Sequence, residues 1–524
     1  MIRIDNEKIS ATLISSLWHV NSRVAARGYA FRKDNTLMQG SSLCEYFDVK
    51  DIHLFLQRLK ECSGVFSVIC YDMSFVAIAV DPSRVYPIFY RSNEEKKIFI
   101  SDDPYTLVKK GDNLDANSEL YYGCAGYTSE GKTLVRDINQ VKPGACLYNY
   151  EQIEYYSYVA YLSELVHPID VNVRYVLNNV FERMLIHTQD RQVVVPLSGG
   201  NDSRLILCML RHYGCNNVVC YTVGRPENDE ERIAIQVANQ LGYKLYTIDT
   251  TKSDICKYIH LEDVNFRNYY KFIGGFTNFV WLFEYAAIRY LRMQNLIDDN
   301  AVFMPGHSAD FNAGSHINKA CIKPCSSVKY MADSVLFDSF EYQYNAMIKR
   351  ELFQKFKSSF ERKQAPWSIY QSFIFKNRLP YNINNSARVY EFFGYDIYLP
   401  YWDMEFLELF RKLPYEDLRS CKLYTDYIRT QIFRPMGVDF PVVIPTGWYF
   451  FRAKIRRRIK RILPSSFVHK RVNLKDALGE FELAKPLLDE LIEEKVYSSE
   501  NLVLSVNQIM KDWYVMKVRQ YLSK

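Results

Sequence analysis

A strand, a glycine turn and a helix follow one another without a break at residues 193–210, and this arrangement restricts the fold more than any other feature. Residues 193–195 are three consecutive valines, which predicts a strand buried on both faces of a parallel sheet. Gly199 and Gly200 permit a sharp turn, and apolar residues at helical spacing begin at Leu205. The turn therefore lies at a helix N-terminus, where free N–H groups and the helix dipole favour an anion.

The polar side chains of this turn are suited to a phosphate group. Ser198 and Ser203 provide hydroxyl donors, and Asp202 provides a carboxylate that can hold Mg²⁺ against phosphate oxygens. The spacing is not that of the Walker loop, which is longer and has a lysine before Ser or Thr. Residues 198–203 instead resemble the SGGxDS loop of the PP-loop ATP pyrophosphatases. The resemblance implies that the loop binds the pyrophosphate of ATP and that the reaction releases AMP.

The length of the chain indicates more than one domain. At 524 residues it exceeds what one hydrophobic core usually supports, so two domains, or three, are expected. A hydrophobic content of 48% and an aromatic content of 15% are typical of a well-filled globular protein. The net charge of +6 is small for this length and therefore does not decide whether a partner is acidic.

The twelve cysteines have no disulfide-framework spacing, and no apolar segment follows Met1. We therefore expect reduced thiols and a cytoplasmic protein. Cys321 and Cys325, with His307 and His316 nearby, raise the alternative of a metal site. Their spacing fits no common zinc pattern, which favours ordinary core or surface cysteines. No apolar run is long enough to span a membrane.

The first third of the chain reads as β structure. Strand-like runs separated by turn residues occur at 64–72, 75–81, 85–90, 97–103 and 141–148. Their order resembles the later half of the amino-terminal glutaminase domain of asparagine synthetases, over about residues 55–160. The resemblance implies an antiparallel β-sandwich, and we assign residues 1–165 to a glutaminase-like domain.

This first domain departs from the glutaminases that it resembles. Those enzymes use the thiol of an N-terminal cysteine, with its own α-amino group as the base. Here Met1 is followed by Ile2, and the earliest cysteine is Cys44. The glutamine-binding segments expected before residue 55 are also shortened. We therefore predict that the domain is present without glutaminase activity.

From Asn172 onward, helices and buried strands alternate. The strand at 193–195 is followed by a strand at 218–224, a helix that Gly242 ends, and a strand at 244–249. Such alternation predicts a parallel sheet with right-handed crossovers, and ligands bind at the carboxyl ends of its strands. The fold class is therefore α/β with two domains, in which residues 170–524 form a PP-loop synthetase domain with a helical C-terminal part.

A second strand-to-glycine junction follows the short apolar run at 301–304. It leads through Pro305 and Gly306 to Asp310. Two interpretations of Asp310 remain at this point. It supplies a second carboxylate, so that Mg²⁺ is held between Asp202 and Asp310, or it caps a helix.

This junction resembles the segment G-E-G-(A/S)-D-E-x-F-G-G of the asparagine synthetase domain. Gly306, Ala309, Asp310 and Gly314 match, whereas His307 replaces a glutamate that the family uses in amidation. An unperturbed histidine is mostly neutral at pH 7, so it can accept a proton without supplying a carboxylate's charge. The replacement puts aspartate as the substrate in doubt. Lasso-peptide cyclases, which resemble the same family, also tolerate histidine here.

Two later segments extend the resemblance to about residue 435. Residues 384–403 resemble S-M-A-x-G-x-E-x-R-x-P-F-L-D, with Asp396 in place of the glutamate and Asp403 retained as a predicted helix cap. The family's catalytic lysine falls at Thr425, one helical turn after Lys422. Lys422 either reaches the phosphates from the neighbouring turn or is a solvated surface lysine.

The resemblance to asparagine synthetases implies a set of site residues. Adenine and ribose contacts carry over to Leu197, Val223, Pro305 and Gly306. The catalytic candidates are His307 and Lys422, and the Mg²⁺ ligands are Asp202 and Asp310. The residues expected to bind pyrophosphate are Ser198, Gly199, Gly200, Asp202 and Ser203.

A basic stretch at 448–463 places Phe451, Ile455, Ile459 and Ile462 on one helical stripe among cations. Such a stripe suits peripheral contact with an anionic membrane at its inner face. A solvated helix packed on its own domain is the alternative, and it is the one that we favour. Nucleic acid is not expected, because no recognisable binding module accompanies the charges.

These observations predict an ATP-dependent carbon–nitrogen ligase that activates a carboxylate as an acyl-AMP and passes it to ammonia or an amine. Aspartate, a sugar-linked carboxylate and a peptide carboxyl remain open as substrates. Nitrogen comes from free ammonia, from a separate ammonia source or from an amine substrate. An inactive nucleotide-binding scaffold is a further alternative, whereas an RNA-modifying PP-loop enzyme is disfavoured by the first domain.

Overall fold

A computed structural model shows two domains built on β-sheets of different kinds. It describes residues 1–73, 75–94, 97–166, 172–317, 321, 328–329, 331–333, 335, 345–360, 363–441, 476–498 and 504–524.

In its described residues, the first domain has twelve strands and three α-helices. The strands are β1 (Ile2–Asp5), β2 (Ile9–Leu13), β3 (His19–Val20), β4 (Val24–Phe31), β5 (Leu37–Gln39), β6 (Ser63–Tyr71), β7 (Val76–Val80), β8 (Phe89–Ser92), β9 (Ile98–Ser101), β10 (Asn139–Gln140), β11 (Ala145–Tyr148) and β12 (Glu151–Glu154). The helices are α1 (Ser41–Phe47), α2 (Ile52–Glu61) and α3 (Ala116–Ala125).

These strands form two sheets. One has the order β1-β2-β9-β8-β10, and the other has the order β12-β11-β7-β6-β4-β3 with β5 added to β4. All pairs are antiparallel except β2 with β9. Ile9 and Ile100 of the first sheet share a buried core with Ile69 and Ile78 of the second, so the two sheets lie face to face. The predicted sandwich is confirmed, with one parallel pair in it.

The second domain contains a five-stranded parallel sheet. Its strands are β13 (Val193–Pro196), β14 (Val218–Gly224), β15 (Lys244–Asp249), β16 (Val302–Phe303) and β17 (Asp396–Ile397), in the order β15-β14-β13-β16-β17. Every pair is parallel, and Val194 lies between Val219 and Phe303 in the register. Because β13 is central, the loops that follow β13, β14 and β16 meet at one edge of the sheet.

Helices surround this sheet and form the C-terminal part. They are α4 (Val173–Thr188), α5 (Asn201–His212), α6 (Asp229–Leu241), α7 (Ser253–Cys256), α8 (Val264–Gly274), α9 (Leu282–Met293), α10 (Ala309–Asn312), α11 (Ala346–Ser359), α12 (Pro366–Phe373), α13 (Asn384–Ser386), α14 (Arg388–Phe392), α15 (Met404–Arg411), α16 (Tyr415–Leu418), α17 (Lys422–Ile428), α18 (Glu480–Glu493) and α19 (Val506–Leu522). Two π-helical turns, Ile374–Ile383 and Arg429–Phe433, continue α12 and α17.

Local signals in the sequence define several helix ends. The side chain of Asn172 caps α4 by accepting a hydrogen bond from the N–H of Tyr175, and Gly242 ends α6 in the left-handed conformation. Asp403 caps α15 by accepting from the N–H of Glu405, which confirms its predicted structural role. Because Arg183 donates two hydrogen bonds to the buried Asp403, the cap is also an ion pair, at 2.8 and 2.9 Å.

The strand predicted at 85–90 is wrong for most of its length. The structure begins β8 at Phe89, and Arg84 has a positive φ of 54°. The buried Arg84 guanidinium hydrogen-bonds Gln140 and lies 4.6 Å from the ring centroid of Tyr381. Val85, Tyr86 and Phe89 are buried in the same core cluster as Val194 and Tyr390 of the second domain. Most of this segment is therefore apolar because it packs against the second domain, and not because it joins a sheet.

The two domains share a buried boundary. Arg27 of β4 lies between Asp102 and Glu391 of α14, with N–O distances of 3.5 and 3.1 Å. The amide of Asn384 donates to the carbonyl of Ser83 at 2.9 Å. The predicted domain limits, 1–165 and 170–524, remain predictions, but the contacts across them are polar, buried and specific.

Candidate active site

The loop after β13 is held in shape by its own serines. The N–H of Ser198 donates to Oγ of Ser203 at 3.2 Å, and Oγ of Ser198 accepts from the N–H of Gly200 at the same distance. The helix α5 begins at Asn201, and among the described residues no side chain caps it. The first N–H groups of α5 are therefore available to an anion, as expected for a phosphate loop.

A buried arginine anchors this loop from behind. Arg204 donates to the carbonyl of Gly199 at 3.0 Å and to the carbonyls of Val438 and Phe440 at 3.0 and 2.9 Å. Its guanidinium also lies 5.2 Å from the ring centroid of Phe433. Arg204 therefore links the loop to the segment that follows α17. Its partners are backbone carbonyl oxygens, which a sequence pattern does not identify.

Gly306 brings the second loop against the first. A Cβ atom at this position would lie 2.7 Å from the backbone N of Ser203 and 3.1 Å from the backbone C of Asp202. Only a glycine permits this approach, which places the loop after β16 directly on the start of α5.

Asp202 and Asp310 face each other across this contact. The backbone N–H of Asp310 donates to Oδ2 of Asp202 at 3.1 Å, and the hydroxyl of Tyr424 donates to Oδ1 at 3.0 Å. Burial, followed by the charge of Asp310, raises the pKa of Asp202 to about 8, and burial also raises the pKa of Asp310. Each carboxylate disfavours the ionisation of the other, and a cation between them would remove this repulsion. Their oxygen atoms are ligands of the kind that Mg²⁺ prefers, so the pair fits Mg²⁺.

A cavity of about 580 Å³ opens at this edge of the sheet. The predicted residues that line it are Ser198, Gly200, Asp202, Ser203, Val223, Gly306, His307 and Asp310. The structure therefore brings most of the predicted site together around one space.

Four predicted residues do not line the cavity. Leu197 is buried in the core, and its N–H donates to the carbonyl of Tyr221. Gly199 packs against the backbone of Glu230, and Pro305 is buried behind Gly306. Lys422 is exposed at the start of α17.

Both loops of the site lie in a part of the chain that matches a known protein family. The asparagine synthase family model matches residues 172–436, slightly more than half of the chain. The chain belongs to the asparagine synthase family. Membership makes it, in general terms, an ATP-dependent amide-forming ligase, and both loops lie inside the matched range. Among curated proteins, none matches this chain.

His307 differs from the glutamate that the family resemblance places here. It lines the cavity, and burial lowers its pKa to about 4. Its Nδ1 has no hydrogen-bond partner among the described residues. The imidazole is therefore neutral at pH 7, with a nitrogen available to a ligand.

On α17 the cavity is lined by Thr425 and not by Lys422. Cys421, Tyr424 and Thr425 face the cavity, whereas Lys422, one turn before Thr425, is exposed. The position at which the family resemblance places a lysine is therefore occupied by a short neutral side chain.

Sequence reasoning did not identify several residues that line the cavity. Tyr221 of β14 and Tyr390 of α14 meet through their hydroxyls at 3.3 Å. Glu284, in the first turn of α9, and Tyr424 also line the cavity. No local sequence signal identifies these four residues as part of a site, because the elements that carry them are distant in sequence and meet only in the folded protein.

Two other predictions concern residues that the structure describes only in part. No group of three or more His, Cys, Asp or Glu side chains in the described ranges is arranged to hold a metal ion. Cys325 and the basic stretch 448–463 lie outside the described residues. None of the described helices is both long enough and apolar enough to cross a membrane.

Proposed function

We propose that this protein uses ATP to activate a carboxylate as an acyl-AMP, with release of pyrophosphate, and then transfers the acyl group to ammonia or an amine. The observation that carries the proposal is the pair of loops at one sheet edge. One presents uncapped helix N–H groups, and the other presents Asp310 opposite Asp202. Two carboxylates beside an anion site would repel a phosphate group unless a cation lay between them. The arrangement therefore suits a pyrophosphate that leaves together with a bound cation, and not merely a bound anion.

The proposed reaction has two steps. A substrate carboxylate oxygen attacks the α-phosphorus of ATP, and the bond between this phosphorus and the bridging oxygen breaks as pyrophosphate leaves. An amine nitrogen then attacks the acyl carbon, AMP leaves, and the nitrogen gives up a proton. Asp202 and Asp310 would hold Mg²⁺, which supplies positive charge against the pyrophosphate oxygens. The loop N–H groups and the serine hydroxyls orient the same oxygens.

His307 is the proposed proton acceptor in the second step. Its Nδ1 has no partner among the described residues and lies in the cavity wall, so it can accept a proton from the attacking amine. Burial lowers the pKa of the imidazole to about 4, so this role requires a bound substrate whose charge raises that pKa. A histidine does not supply the negative charge of the glutamate that the family resemblance places here, so the proposal does not choose one substrate. Aspartate, a sugar-linked carboxylate and a peptide carboxyl all remain as substrate classes. Lys422 remains a predicted catalytic residue, and its exposure gives that role no support.

For the first domain we propose a glutaminase-like fold without glutaminase activity. Its earliest cysteine, Cys44, is buried, and burial raises the pKa of the thiol. A buried thiol of raised pKa is a poor nucleophile. Nitrogen would then come from free ammonia, from a separate protein that supplies ammonia, or from an amine substrate. Peripheral membrane contact through 448–463 would favour a sugar-linked substrate.

The test is pyrophosphate release from Mg-ATP by the full chain, with candidate carboxylates and either ammonium or glutamine. Asp202→Asn is expected to reduce release at least 100-fold, since it removes the charge that positions the cation. Asp426→Asn, which changes an exposed carboxylate on α17, is the matched control. Turnover close to normal in Asp202→Asn would overturn the proposal. Equal turnover with glutamine and ammonium would overturn the proposal for the first domain.

A nucleotide-binding scaffold is the second candidate, and Thr425 is the observation that favours it. Without a lysine at this position, the cavity has less positive charge for the transition state of phosphoryl transfer. Tight ATP binding without pyrophosphate release, across aspartate, sugar acids and peptides, is the result that this candidate requires.

A further inference from the structure

A second group of side chains lines the cavity apart from the phosphate loops. Tyr221 and Val223 project from the same face of β14, since they are two residues apart on one strand. Phe283 and Glu284 come from α9, and Tyr390 comes from α14. This part of the cavity is therefore aromatic and apolar, with one acidic group in its wall.

The acidic group, Glu284, is incompletely hydrogen-bonded. Its Oε2 is buried and has no partner among the described residues. The nearby Glu480 also has a buried oxygen, Oε1, without a partner there, but Glu480 does not line the cavity. A buried polar atom usually has a partner, so an unpaired oxygen in a cavity wall indicates a ligand that supplies one.

We infer that Glu284 recognises the nucleobase of ATP by accepting a hydrogen bond from the 6-amino group of adenine. The inference rests on the proposed function, because the phosphate loops fix one end of the nucleotide. The rest of the nucleotide must extend along the cavity, where aromatic side chains suit a flat purine. Within the described residues, Glu284 is the cavity-lining acid beside these rings.

The surroundings of Glu284 disfavour its ionised form and therefore favour a neutral partner over a cationic amine. Burial, followed by the charge of Glu480, raises the pKa of Glu284 well above its ordinary value. Burial and the charge of Asp476 raise the pKa of Glu480 to about 8. In its un-ionised form, a carboxyl group has one donor and one acceptor, which match N1 and the amino group on the Watson–Crick edge of adenine.

The experiment measures binding of two nucleotides to the full chain by equilibrium dialysis with Mg²⁺. ATP and purine riboside 5′-triphosphate differ only in the 6-amino group. The native chain is expected to prefer ATP by about tenfold, the ordinary effect of one hydrogen bond in a buried site. Glu284→Leu and Glu284→Met are expected to bring this preference to within about twofold of unity. Two variants are used because either substitution alone could impair folding, which thermal unfolding reports.

Two further variants separate the alternatives. Glu284→Gln is expected to keep most of the preference, because an amide offers the same donor and acceptor; a loss as large as in Glu284→Leu would mean that the negative charge is needed. Glu230→Gln, which changes another acid in the cavity wall, should leave the preference unchanged.

The outcomes distinguish this inference from the proposed function. If ATP binds and releases pyrophosphate but the native chain shows no preference, or Glu284→Leu keeps it, the inference fails and the proposed function stands. If neither nucleotide binds the native chain, both are wrong.

Discussion

Gly306→Ala is the substitution for which the structure allows the clearest expectation. The new Cβ would lie 2.7 Å from the backbone N of Ser203 and 3.2 Å from its Cα. Ordinary van der Waals contact begins near 3.4 Å, so one backbone must move by about 0.7 Å. Both neighbours of the new atom are main chain, so no rotamer change relieves the clash.

Such a movement affects the helix end that is proposed to hold pyrophosphate. Misplacing reacting groups by about 1 Å costs roughly 100-fold in rate, so we expect pyrophosphate release to fall about 10- to 100-fold. Overpacking of this kind also costs about 1–3 kcal/mol of the free energy of unfolding. Release is measured with a coupled pyrophosphate assay, and stability is measured by chemical denaturation.

The matched control is Gly123→Ala in α3, where the structure shows nothing within 4 Å of the new Cβ. This variant should keep native turnover and stability, or gain slightly in stability through its helix propensity. Native turnover and native stability in Gly306→Ala would refute the reasoning, because they would show that the two loops do not touch in solution as they do here.

Three other substitutions have expected outcomes. Tyr424→Phe removes the hydroxyl that donates to Asp202 at 3.0 Å, and we expect pyrophosphate release to fall about fivefold with little change in unfolding temperature. Arg183→Met leaves the buried Asp403 without its ion-pair partner, and denaturant titration should show a loss of about 3–5 kcal/mol. Burial opposes the ionisation of Asp396, but the neighbouring His187 and Arg191 outweigh this effect and lower the pKa of Asp396 to about 2. Its ionised form therefore stabilises the fold above the ordinary aspartate pKa, and this contribution is lost as the pH falls from about 4 to about 2. Asp396→Asn should be less stable than the native chain by about 1–2 kcal/mol at pH 7, and the difference should disappear near pH 2.

The loop after β13 was predictable because its determinants are consecutive in the chain. Three valines, two glycines and an amphipathic run specify strand, turn and helix without help from distant residues. The second loop was predictable for the same reason, and the parallel sheet then placed Asp310 next to Asp202.

The orientation of α17 was not predictable from helical spacing. Ser420 and Cys421 both have positive φ values, 58° and 56°, and the helix begins only at Lys422. A sequence gives little sign of two consecutive left-handed residues of these types. They set the helix phase so that Tyr424 and Thr425 face the cavity while Lys422 is exposed.

The aromatic part of the cavity was missed for a different reason. Tyr221, Glu284 and Tyr390 come from three elements, and only the tertiary fold brings them together. Each one looks like an ordinary core or helix residue in its own segment. Residues whose role depends on packing between distant elements carry no local signature.

The ion pair between Arg27 and Glu391 makes part of the cavity wall in the second domain depend on the first domain. Glu391 is adjacent to Tyr390, so a side chain from the first domain fixes the turn of α14 that forms part of the cavity wall. A truncated chain without the first domain would leave Glu391 without the Arg27 and Ser15 side chains that contact its carboxylate. Tyr390 would keep its contacts with Tyr221 and Phe303 of the second domain. The first domain therefore supports one turn of the cavity wall in addition to any chemistry of its own, and its removal would weaken that support.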